Sequence, residues 1–476
     1  MSQPYSKSDS LNQSSAPPII CWFRQDLRLN DQPAWRAACE TSLRTGQAVL
    51  PIYILDDAAA GEWAMGAASR VWLYHALKKL NESLGGNLMV FCGAAGDILL
   101  QLAQTYAATH VFWNRCYEPW RIARDEKIKE NLRFQTSAKI ESLNGSLLWE
   151  PWEVKKADGS YYKVFTAFYR RGCLAAPAPR APLPAPKLPM FFEATHEPPI
   201  DQKPHTYAPV KLADLQLLPR APRWDLAMMS IWNVGEHAAH KKLQDFINHG
   251  LAGYREGRNF LALDQTSKLS PHLHFGEISP HQIWAALADV TDEKLGPDLD
   301  CYQSELGWRE FAHSLLYQFP ELPAIPLNKK FMRMEWVEPE PEMLTRWQHG
   351  ETGYPLVDAG MRELWATGYM HNRVRMVVAS FLVKGLRYHW RVGEDWFWDC
   401  LVDADLANNA ASWQWVAGCG ADAAPYFRIF NPQLQAEKFD AKNAYINRWA
   451  PQSHKIKPMI DHAASRDAAL TAYKKL

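Results

Sequence analysis

The sequence predicts an α/β protein in which an N-terminal doubly wound parallel sheet is joined by a long linker to an all-α domain. Three patterns in its 476 residues predict this fold. Short apolar runs alternate with amphipathic helical stretches up to about residue 145, as in a parallel sheet covered by helices. A proline-dense segment follows. From about residue 230 the apolar residues recur with the spacing of an α-helix. A chain of this length is expected to have more than one hydrophobic core.

The N-terminal part opens with a polar, serine-rich leader at residues 1–16. It has no apolar segment of the kind a secretory signal needs, so we expect a disordered leader. Residues 17–145 form the predicted α/β domain, with an amphipathic helix at Ser69–Leu84. The motif G-x-G-x-x-G is missing after the first strand, where Arg24–Arg28 stands, and this argues against a Rossmann dehydrogenase. The predicted strands are Pro18–Phe23, Ala48–Leu55, Asn87–Cys92, His110–Asn114 and Lys139–Leu143.

Residues 146–229 are the predicted linker, and the run PAPRAPLPAPKLP at 177–189 is rich in proline. Proline at this density favours extended polyproline II over regular helix or sheet. A ligand for SH3-type modules would share this composition, but long ordered segments on both sides favour a connection between domains. Residues 230–476 form the predicted helical domain. Its predicted helices are Gly235–Asn248, Leu299–Phe319, Tyr354–Thr367, Asn372–Arg387, Asp395–Leu401 and Ala407–Val416.

The composition excludes several classes of protein. Lys and Arg total 52 and so do Asp and Glu, so a polybasic protein held to nucleic acid by bulk charge is excluded, although a local basic groove is not. The eight cysteines form no C-x-x-C pair, which argues against a zinc or iron–sulfur site and favours reduced thiols. No apolar run reaches the roughly 18 residues of a membrane span. We therefore expect a soluble, cytoplasmic protein. The sequence also contains 21 tryptophans, an unusually high number.

Two helical segments carry polar residues at a spacing that places them on one face. Glu305, Trp308 and Arg309 have the i, i+3, i+4 spacing, which fits either a functional face or a surface ion pair beside a packed indole. The same spacing recurs in the second segment, where it fits a polar pocket with an apolar wall or a helix end with extended arginines. The residues of that second segment are Asn372, Arg375 and Met376.

Two further segments have the composition of binding sites. The hydroxyl-rich run Thr266–Ser270 precedes a proline and could present N–H groups and hydroxyls to a phosphate, although a helix cap also explains it. Asp403 and Asp405 could bind a metal, a ribose hydroxyl or a cationic ring. No histidine or third acid lies at ligand spacing, which disfavours the metal. Asn409 and Trp413 share a helix face, and an aromatic core is the alternative for the tryptophans around them.

These motifs, taken together and in order, resemble the DNA photolyase/cryptochrome flavoproteins over nearly the whole chain. The signature of the N-terminal part is Trp22–Arg28. The later motifs are TSKLSPHLHFGEIS, ELGWREF, TGYP, MHNRVRM, VDADLANNAASWQW and DAAPYFRIFNP. Within the family the chain looks most like a bacterial cyclobutane pyrimidine dimer photolyase, of the class I or the class III branch. The resemblance implies that the helical domain binds FAD in a folded, U-shaped form.

The resemblance also implies which residues hold the flavin. Arg375 and Asp403 match the charged pair beside the isoalloxazine, and Asp405 matches a residue near its pyrimidine ring. Asn409 matches the residue that faces flavin N5, and a neutral amide there fits a flavin that works as the reduced anion. The other matching cofactor positions are Tyr254, Thr266, Ser267, Lys268, Leu269, Ser270, Arg309 and Asn372. The positions that match the electron-transfer chain from flavin to surface are Trp336, Trp390 and Trp413.

The activity implied is blue-light-driven DNA repair in which excited reduced FAD passes an electron to the dimer, the cyclobutane ring splits and the electron returns. The lesion must be flipped out of the duplex into a pocket. Glu305, Asn372 and Met376 match the residues around the dimer, and Glu305 would have to be protonated to donate a hydrogen bond. The matching DNA-binding positions are Arg258, Glu305, Trp308, Asn372, Arg373, Trp415, Arg428 and Gln435. The expected partner is UV-damaged DNA, bound by a monomer.

Several alternatives stay open at this point. A (6-4) photolyase carries two histidines where this chain has Asn372 and Met376, so the cyclobutane dimer is favoured. A cryptochrome photoreceptor would usually carry a C-terminal extension and a changed residue at Asn409, and a light-independent flavin redox enzyme would need a nicotinamide site. The family's Asn-Glu pair for a folate antenna is replaced at Glu118–Arg121, and Tyr369 stands where the family often has Trp. The expected antenna is methenyltetrahydrofolate, with a deazaflavin or a second flavin as alternatives.

Overall fold

The computed structural model describes residues 16–193, 207–423 and 427–476. The leader expected at 1–16 therefore lies almost wholly outside the described residues, as do part of the linker and three residues of the motif DAAPYFRIFNP. A five-stranded parallel sheet forms the N-terminal part, and its strand order is β3-β2-β1-β4-β5. The strands are β1 Ile19–Phe23, β2 Val49–Leu55, β3 Met89–Cys92, β4 His110–Asn114 and β5 Lys139–Leu143.

The sheet confirms the doubly wound α/β class. Strands β1 and β2 are buried along their whole length, as expected for central strands covered by helices on both faces. The chain runs from β1 outward to β3 and then returns to place β4 on the other side of β1. The strand order therefore reverses beside β1, and ligands of such sheets bind where the order reverses. The helices of this part are α1 Pro33–Thr45, α2 Ala67–Ser83, α3 Ala95–Thr105 and α4 Pro119–Gln135.

The second half is helical, and no strand lies between residue 207 and the C-terminus among the described residues. The helix predicted at Asn372–Arg387 ends early, at Ser380, and a wide π-helical turn at Phe381–Gly385 continues it. The longer helices are α5 Glu236–His249, α6 Pro280–Ala288, α7 Gly296–Gln318, α8 Pro341–Gln348, α9 Pro355–Thr367, α10 Asn372–Ser380, α11 Trp390–Cys400, α12 Leu406–Ala417, α13 Pro432–Phe439 and α14 His462–Lys474.

The segment expected as a linker is divided between two environments. Residues 147–176 pack into the same hydrophobic core as α7, because Trp149, Phe165 and Tyr169 are buried there. Residues 177–193 run extended over the surface, and Phe191 forms a single parallel bridge with Val49 of β2. The proline-rich part is therefore the extended one, whereas the aromatic part belongs to the helical core.

The signature Trp22–Arg28 joins the two parts of the molecule. Arg28 is buried and donates hydrogen bonds to the carbonyl oxygens of Asp31, Gly145 and Gly276. Gly276 has a φ of 65°, and a Cβ there would lie 2.2 Å from the carbonyl oxygen of Gln25, so the close approach requires glycine. The end of this motif thus connects the sheet part to the helical part of the molecule.

Two expected absences can be examined in the described part of the chain. No helix there is long and apolar enough to span a membrane. No group of three or more acidic, histidine or cysteine side chains there could hold a metal ion. The eight cysteines are unpaired.

Candidate active site

The run Thr266–Ser270 forms a cradle of unpaired donors. Lys268 has a φ of 50°, which turns successive peptide groups toward one side. In the described part of the chain, the backbone N–H groups of Thr266, Ser267 and Lys268 have no acceptor, and only Leu269 donates locally, to Ser267 Oγ at 3.4 Å. Lys268 Nζ binds Asp264 Oδ1 at 2.7 Å, so its charge is balanced. Free N–H groups at such a turn favour an anion such as a phosphate.

Aromatic hydroxyls surround this cradle. Tyr254 is buried and meets Tyr302 edge to face at 5.2 Å between the ring centroids. Ser267 lies beside the Tyr302 hydroxyl, and Thr266 lies beside the hydroxyl of Tyr369. Burial raises the pKa of the Tyr254 and Tyr302 phenols, so both stay neutral donors.

Arg375 and Asp403 form the expected charged pair. Arg375 Nη2 lies 2.9 Å from Asp403 Oδ2, and Ser270 Oγ donates to the same oxygen at 2.6 Å. Arg375 Nε donates to the carbonyl oxygen of Met370 at 2.8 Å, and its guanidinium lies 5.2 Å from the ring centroid of Tyr369. Burial alone would lower the pKa of Arg375, but the Asp403 carboxylate outweighs it and raises that pKa. The two hydrogen bonds to Asp403 and the one to Met370 fix the orientation of the Arg375 side chain.

Asp405 lies in a second polar cluster. Its Oδ1 accepts from the backbone N–H of Asn408 at 2.9 Å and caps α12. Burial would raise its pKa, but His313, His274 and Arg309 bring it down to about 2. His313 Nε2 lies 3.5 Å from Asp405 Oδ2, whereas neither ring nitrogen of the buried His274 has a partner among the described residues. His274 therefore leaves two polar atoms open beside Asp405.

Asn409 is tied to a buried acid that the sequence reasoning missed. Its Nδ2 donates to the carbonyl oxygen of Glu394 at 3.1 Å. Only 1% of Glu394 is exposed, and neither carboxyl oxygen has a partner within the described chain. Burial, together with the neighbouring Asp395, raises the pKa of Glu394 well above its ordinary value. No motif marks this residue, because its character comes from its surroundings in the fold.

The three tryptophans expected to transfer electrons lie along one path. Trp413 packs so closely on α11 that a Cβ at Gly393 would lie 2.1 Å from its ring. Trp390 precedes Gly393 by three residues and therefore shares its helix face. His389 then lies 5.2 Å from both Trp390 and Trp336 between ring centroids. Trp413 and Trp390 are buried and Trp336 is half-buried, so the series runs outward.

Glu305, Trp308 and Arg309, which were predicted to share one helix face, each have different neighbours. Glu305 forms an ion pair with Arg258. Trp308 is 37% exposed and its indole stacks on Phe165, with 3.7 Å between ring centroids. Arg309 turns away and donates to the carbonyl oxygen of Ser146 at 2.8 Å and to Glu310 at 3.1 Å. Arg309 therefore contacts other protein groups directly, and its part in holding a cofactor stays a prediction.

The remaining DNA-binding candidates have the following surroundings. Arg373 donates to Asn259 Oδ1, and its guanidinium lies over the Phe439 ring. The exposed Arg428 lies with its guanidinium carbon 5.9 Å from the ring centroid of Trp415. Asn372 is exposed at the first turn of α10, and Met376 is half-buried one turn further. In the part of the chain described, Gln435 has an acceptor oxygen without a partner.

Comparison with known proteins agrees with this site. A family model for the FAD binding domain of DNA photolyase matches residues 302–467, and one for DNA photolyase matches residues 19–187. A deoxyribodipyrimidine photo-lyase of Agrobacterium fabrum is 42% identical, over 96% of this chain and 97% of its own. The chain belongs to the DNA photolyase and cryptochrome family. The enzyme class expected from the sequence, a photolyase acting in DNA repair, is confirmed.

Two further relatives place the chain within the family. A bacterial class III photolyase from Agrobacterium tumefaciens has a similar structure, with a TM-score of 0.88 at 41% identity over 99% of both chains. Cryptochrome-1 of Arabidopsis thaliana is 34% identical over 92% of this chain and 63% of its own. Proteins named photolyases and proteins named cryptochromes are thus both among the relatives of this chain.

The site residues fit FAD. The unpaired N–H groups of Thr266–Lys268 would hold its phosphates, and the Arg375–Asp403 pair would hold its polar ring edge. Among the described residues, the ring nitrogens of His274 have no partner, and His274 lies close enough to Asp405 to feel its charge. The family model for the FAD binding domain covers Arg375, Asp403 and Asp405 of this donor set.

A second cleft lies at the carboxyl ends of β1 and β2 in this photolyase fold. Its volume is about 550 Å³, and it opens to solvent. Arg24 and Arg124 both pair with Asp125, and both guanidinium groups lie over the Trp22 ring. A photolyase of Sulfolobus tokodaii, 26% identical with a TM-score of 0.77 over 96% of this chain and all of its own, is described with two FAD molecules and a novel light-harvesting cofactor. The other aromatic and basic residues of the cleft are Tyr53, Trp63, Trp120, Arg121 and Phe275.

Proposed function

We propose that this protein repairs cyclobutane pyrimidine dimers in DNA, driven by light. One observation supports the proposal: Asn372, Arg375 and Met376 lie within one turn of α10, and Arg375 pairs with Asp403. In the proposal, Arg375 belongs to the pair that holds the flavin, and Asn372 and Met376 face the lesion. Bound, reduced FAD would supply the excited-state electron that splits the cyclobutane ring and is then returned. The positions that match the (6-4) histidines hold Asn372 and Met376, so they carry no imidazole. The imidazole of the neighbouring His371 is used to cap α10, because it accepts from the backbone N–H of Arg373 at 3.2 Å.

The proposed pocket accepts a flipped dimer between aromatic walls. A dimer distorts the stack, so its extrusion costs less than that of normal bases. Trp308 offers an indole that is already fixed by Phe165, and stacking on such a ring is worth about 1–3 kcal/mol per base. Trp415 would form the opposite wall, with Arg428 beside it.

Glu305 and Arg258 would change partners when the lesion binds. In the free protein each satisfies the other's charge. The flipped dimer would separate them, which frees Glu305 to hydrogen-bond the thymine and Arg258 to bind a backbone phosphate. Only a protonated carboxyl group can donate such a hydrogen bond.

Asn409 supports a flavin that works as the reduced anion. One amide hydrogen of Asn409 is already used by the carbonyl oxygen of Glu394. An amide does not release a proton at neutral pH, so it stabilises a neighbouring nitrogen without protonating it. When the flavin has become oxidised, an electron would be transferred to it through Trp336, Trp390 and Trp413.

The cleft at β1 and β2 is the proposed antenna site. Its indoles can stack on a flat chromophore, and its arginines favour an anionic one. Both features fit methenyltetrahydrofolate, whose glutamyl tail is anionic, and a deazaflavin or a second flavin is the alternative. Release of the chromophore by mild denaturation and its absorption spectrum would identify it.

The test compares two lesions in parallel. Purified reduced protein is illuminated with oligonucleotides that carry either a cyclobutane dimer or a (6-4) product, with dark samples as controls. We expect light-dependent repair of the cyclobutane dimer only. Repair of the (6-4) product alone would refute the proposed specificity. Repair of neither would favour a photoreceptor, the second candidate, which the identity to cryptochrome-1 supports.

A further inference from the structure

A buried lysine lies directly behind the candidate DNA-binding surface. Lys384 is in the π-helical turn Phe381–Gly385, and π turns inside helices are often found at functional sites. Only 2% of the residue is exposed. Burial lowers the pKa of Lys384 to about 7, and its charged or titratable neighbours are Cys419 and Arg428, not a carboxylate. A buried lysine without an acidic partner is costly, so its contacts need an explanation.

Within the described chain, the hydrogen bond and the cation–π contact of Lys384 both go to one segment, Phe427–Phe430. Its Nζ donates to the backbone carbonyl oxygen of Arg428. The same ammonium lies 4.3 Å from the ring centroid of Phe427, within the range of a cation–π interaction. Ser380, one turn earlier, accepts from the backbone N–H of Phe430 at 3.2 Å. The end of α10 and the π turn therefore hold this segment by its backbone.

The C-terminal helix holds the same segment from the other side. Tyr473 of α14 stacks face to face on Phe427, with 4.3 Å between the ring centroids and 8° between the planes. Phe427 is therefore sandwiched between the ammonium of Lys384 and the ring of Tyr473. The next residue, Arg428, has an exposed side chain that reaches over Trp415. The sandwich thus fixes the backbone from which Arg428 projects.

We propose that Lys384 and Tyr473 are positioning residues that hold Arg428 in the orientation needed for binding damaged DNA. This inference rests on the proposed function, because it requires that Arg428 contacts DNA. Neither Lys384 nor Tyr473 touches the DNA in this account. Both act through the backbone and the ring of the segment between them.

The test is a double-mutant cycle on DNA binding by the FAD-loaded protein. Affinity for a duplex with one cyclobutane dimer is measured by fluorescence anisotropy at several salt concentrations. Removing a phosphate contact of Arg428 with Arg428→Ala should weaken binding roughly five- to tenfold and reduce the salt slope by about 0.9. Lys384→Met should have a similar effect alone and no further effect in the Arg428→Ala background, because both changes remove one contact.

Two further variants separate positioning from general loss of structure. Tyr473→Phe keeps the stacked ring and should bind like the wild type, whereas Tyr473→Ala should resemble Lys384→Met. Lys475→Met is the matched control, because Lys475 is an exposed lysine at the end of α14 that pairs with Glu335 at 2.7 Å. Bound FAD and the melting temperature are measured for every variant to show that each is folded.

The outcomes distinguish the inference from the proposed function. Wild-type affinity for Lys384→Met, or effects that multiply in the double variant, would overturn the inference while the proposed function stands. If the wild type does not prefer damaged DNA, or if Arg428→Ala has no effect, the contact assumed for Arg428 does not exist and the inference is wrong with it.

Discussion

Trp308 is the residue whose replacement tests the lesion pocket most specifically. The indole is 37% exposed, stacks on Phe165 and also meets Phe311 edge to face at 5.9 Å. Its free surface is thus available to a flipped base while its other face is fixed. Trp308→Ala removes a stacking surface worth about 1–3 kcal/mol, which corresponds to roughly 5- to 150-fold weaker binding of dimer-containing DNA. Because the ring is partly exposed, the stability loss should be smaller than the ~3–5 kcal/mol of a fully buried tryptophan.

The assay is a titration of the FAD-loaded variant with a dimer-containing duplex and with the same duplex undamaged. We expect the affinity for damaged DNA to fall toward that for undamaged DNA, while the FAD content is unchanged. Trp365→Ala is the matched control, because Trp365 is also an exposed indole, at 64%, and stacks on Trp396, which is not one of the proposed pocket residues. Equal affinity of the Trp308→Ala and wild-type proteins for the dimer would refute the reasoning.

Three further predictions address the electron path, the lesion contact and the buried acid. Trp413→Phe should slow photoreduction of oxidised FAD at least tenfold but leave repair by pre-reduced protein intact, and an unchanged rate would exclude Trp413 from the path. Glu305→Gln keeps a hydrogen-bond donor and should retain repair within about threefold, whereas Glu305→Ala should lose about 1–3 kcal/mol of lesion binding; equal defects would contradict a donor role. The pKa of Glu394 is raised in the folded protein, so the folded state holds a proton that the unfolded state loses, and stability falls as pH rises above the ordinary Glu pKa. Glu394→Gln should therefore flatten the decrease in melting temperature above about pH 5, and an unchanged pH profile would show that Glu394 does not bind a proton more tightly in the folded protein.

The sequence predicted most of the fold because the relevant signals are local. Alternation of apolar runs placed β4 and β5 at the residues observed, and helical periodicity placed α9 within one residue of its start. The aromatic segment at 147–176 was assigned to the linker because its strongest local signal was the proline run after it. Only the helical core that buries Phe165 shows that this segment packs rather than connects.

The candidate site was predictable where motifs mark it and not elsewhere. Arg375 and Asp403 meet as the resemblance implied. Glu394 and His274 have no motif, since burial and missing partners give them their character. The turning of Arg309 toward Ser146 could not be read from helical spacing, because spacing fixes a face but not the partner that the rest of the fold brings to it.

The central claim is that the excited electron returns, so that repair consumes no reductant. The direct measurement counts dimers split per bound flavin under light, in reduced protein without added reductant, while the flavin absorption is followed. The account predicts many dimers repaired per flavin with the flavin still reduced at the end. One dimer per flavin with matching flavin oxidation, or no repair in light, would contradict it.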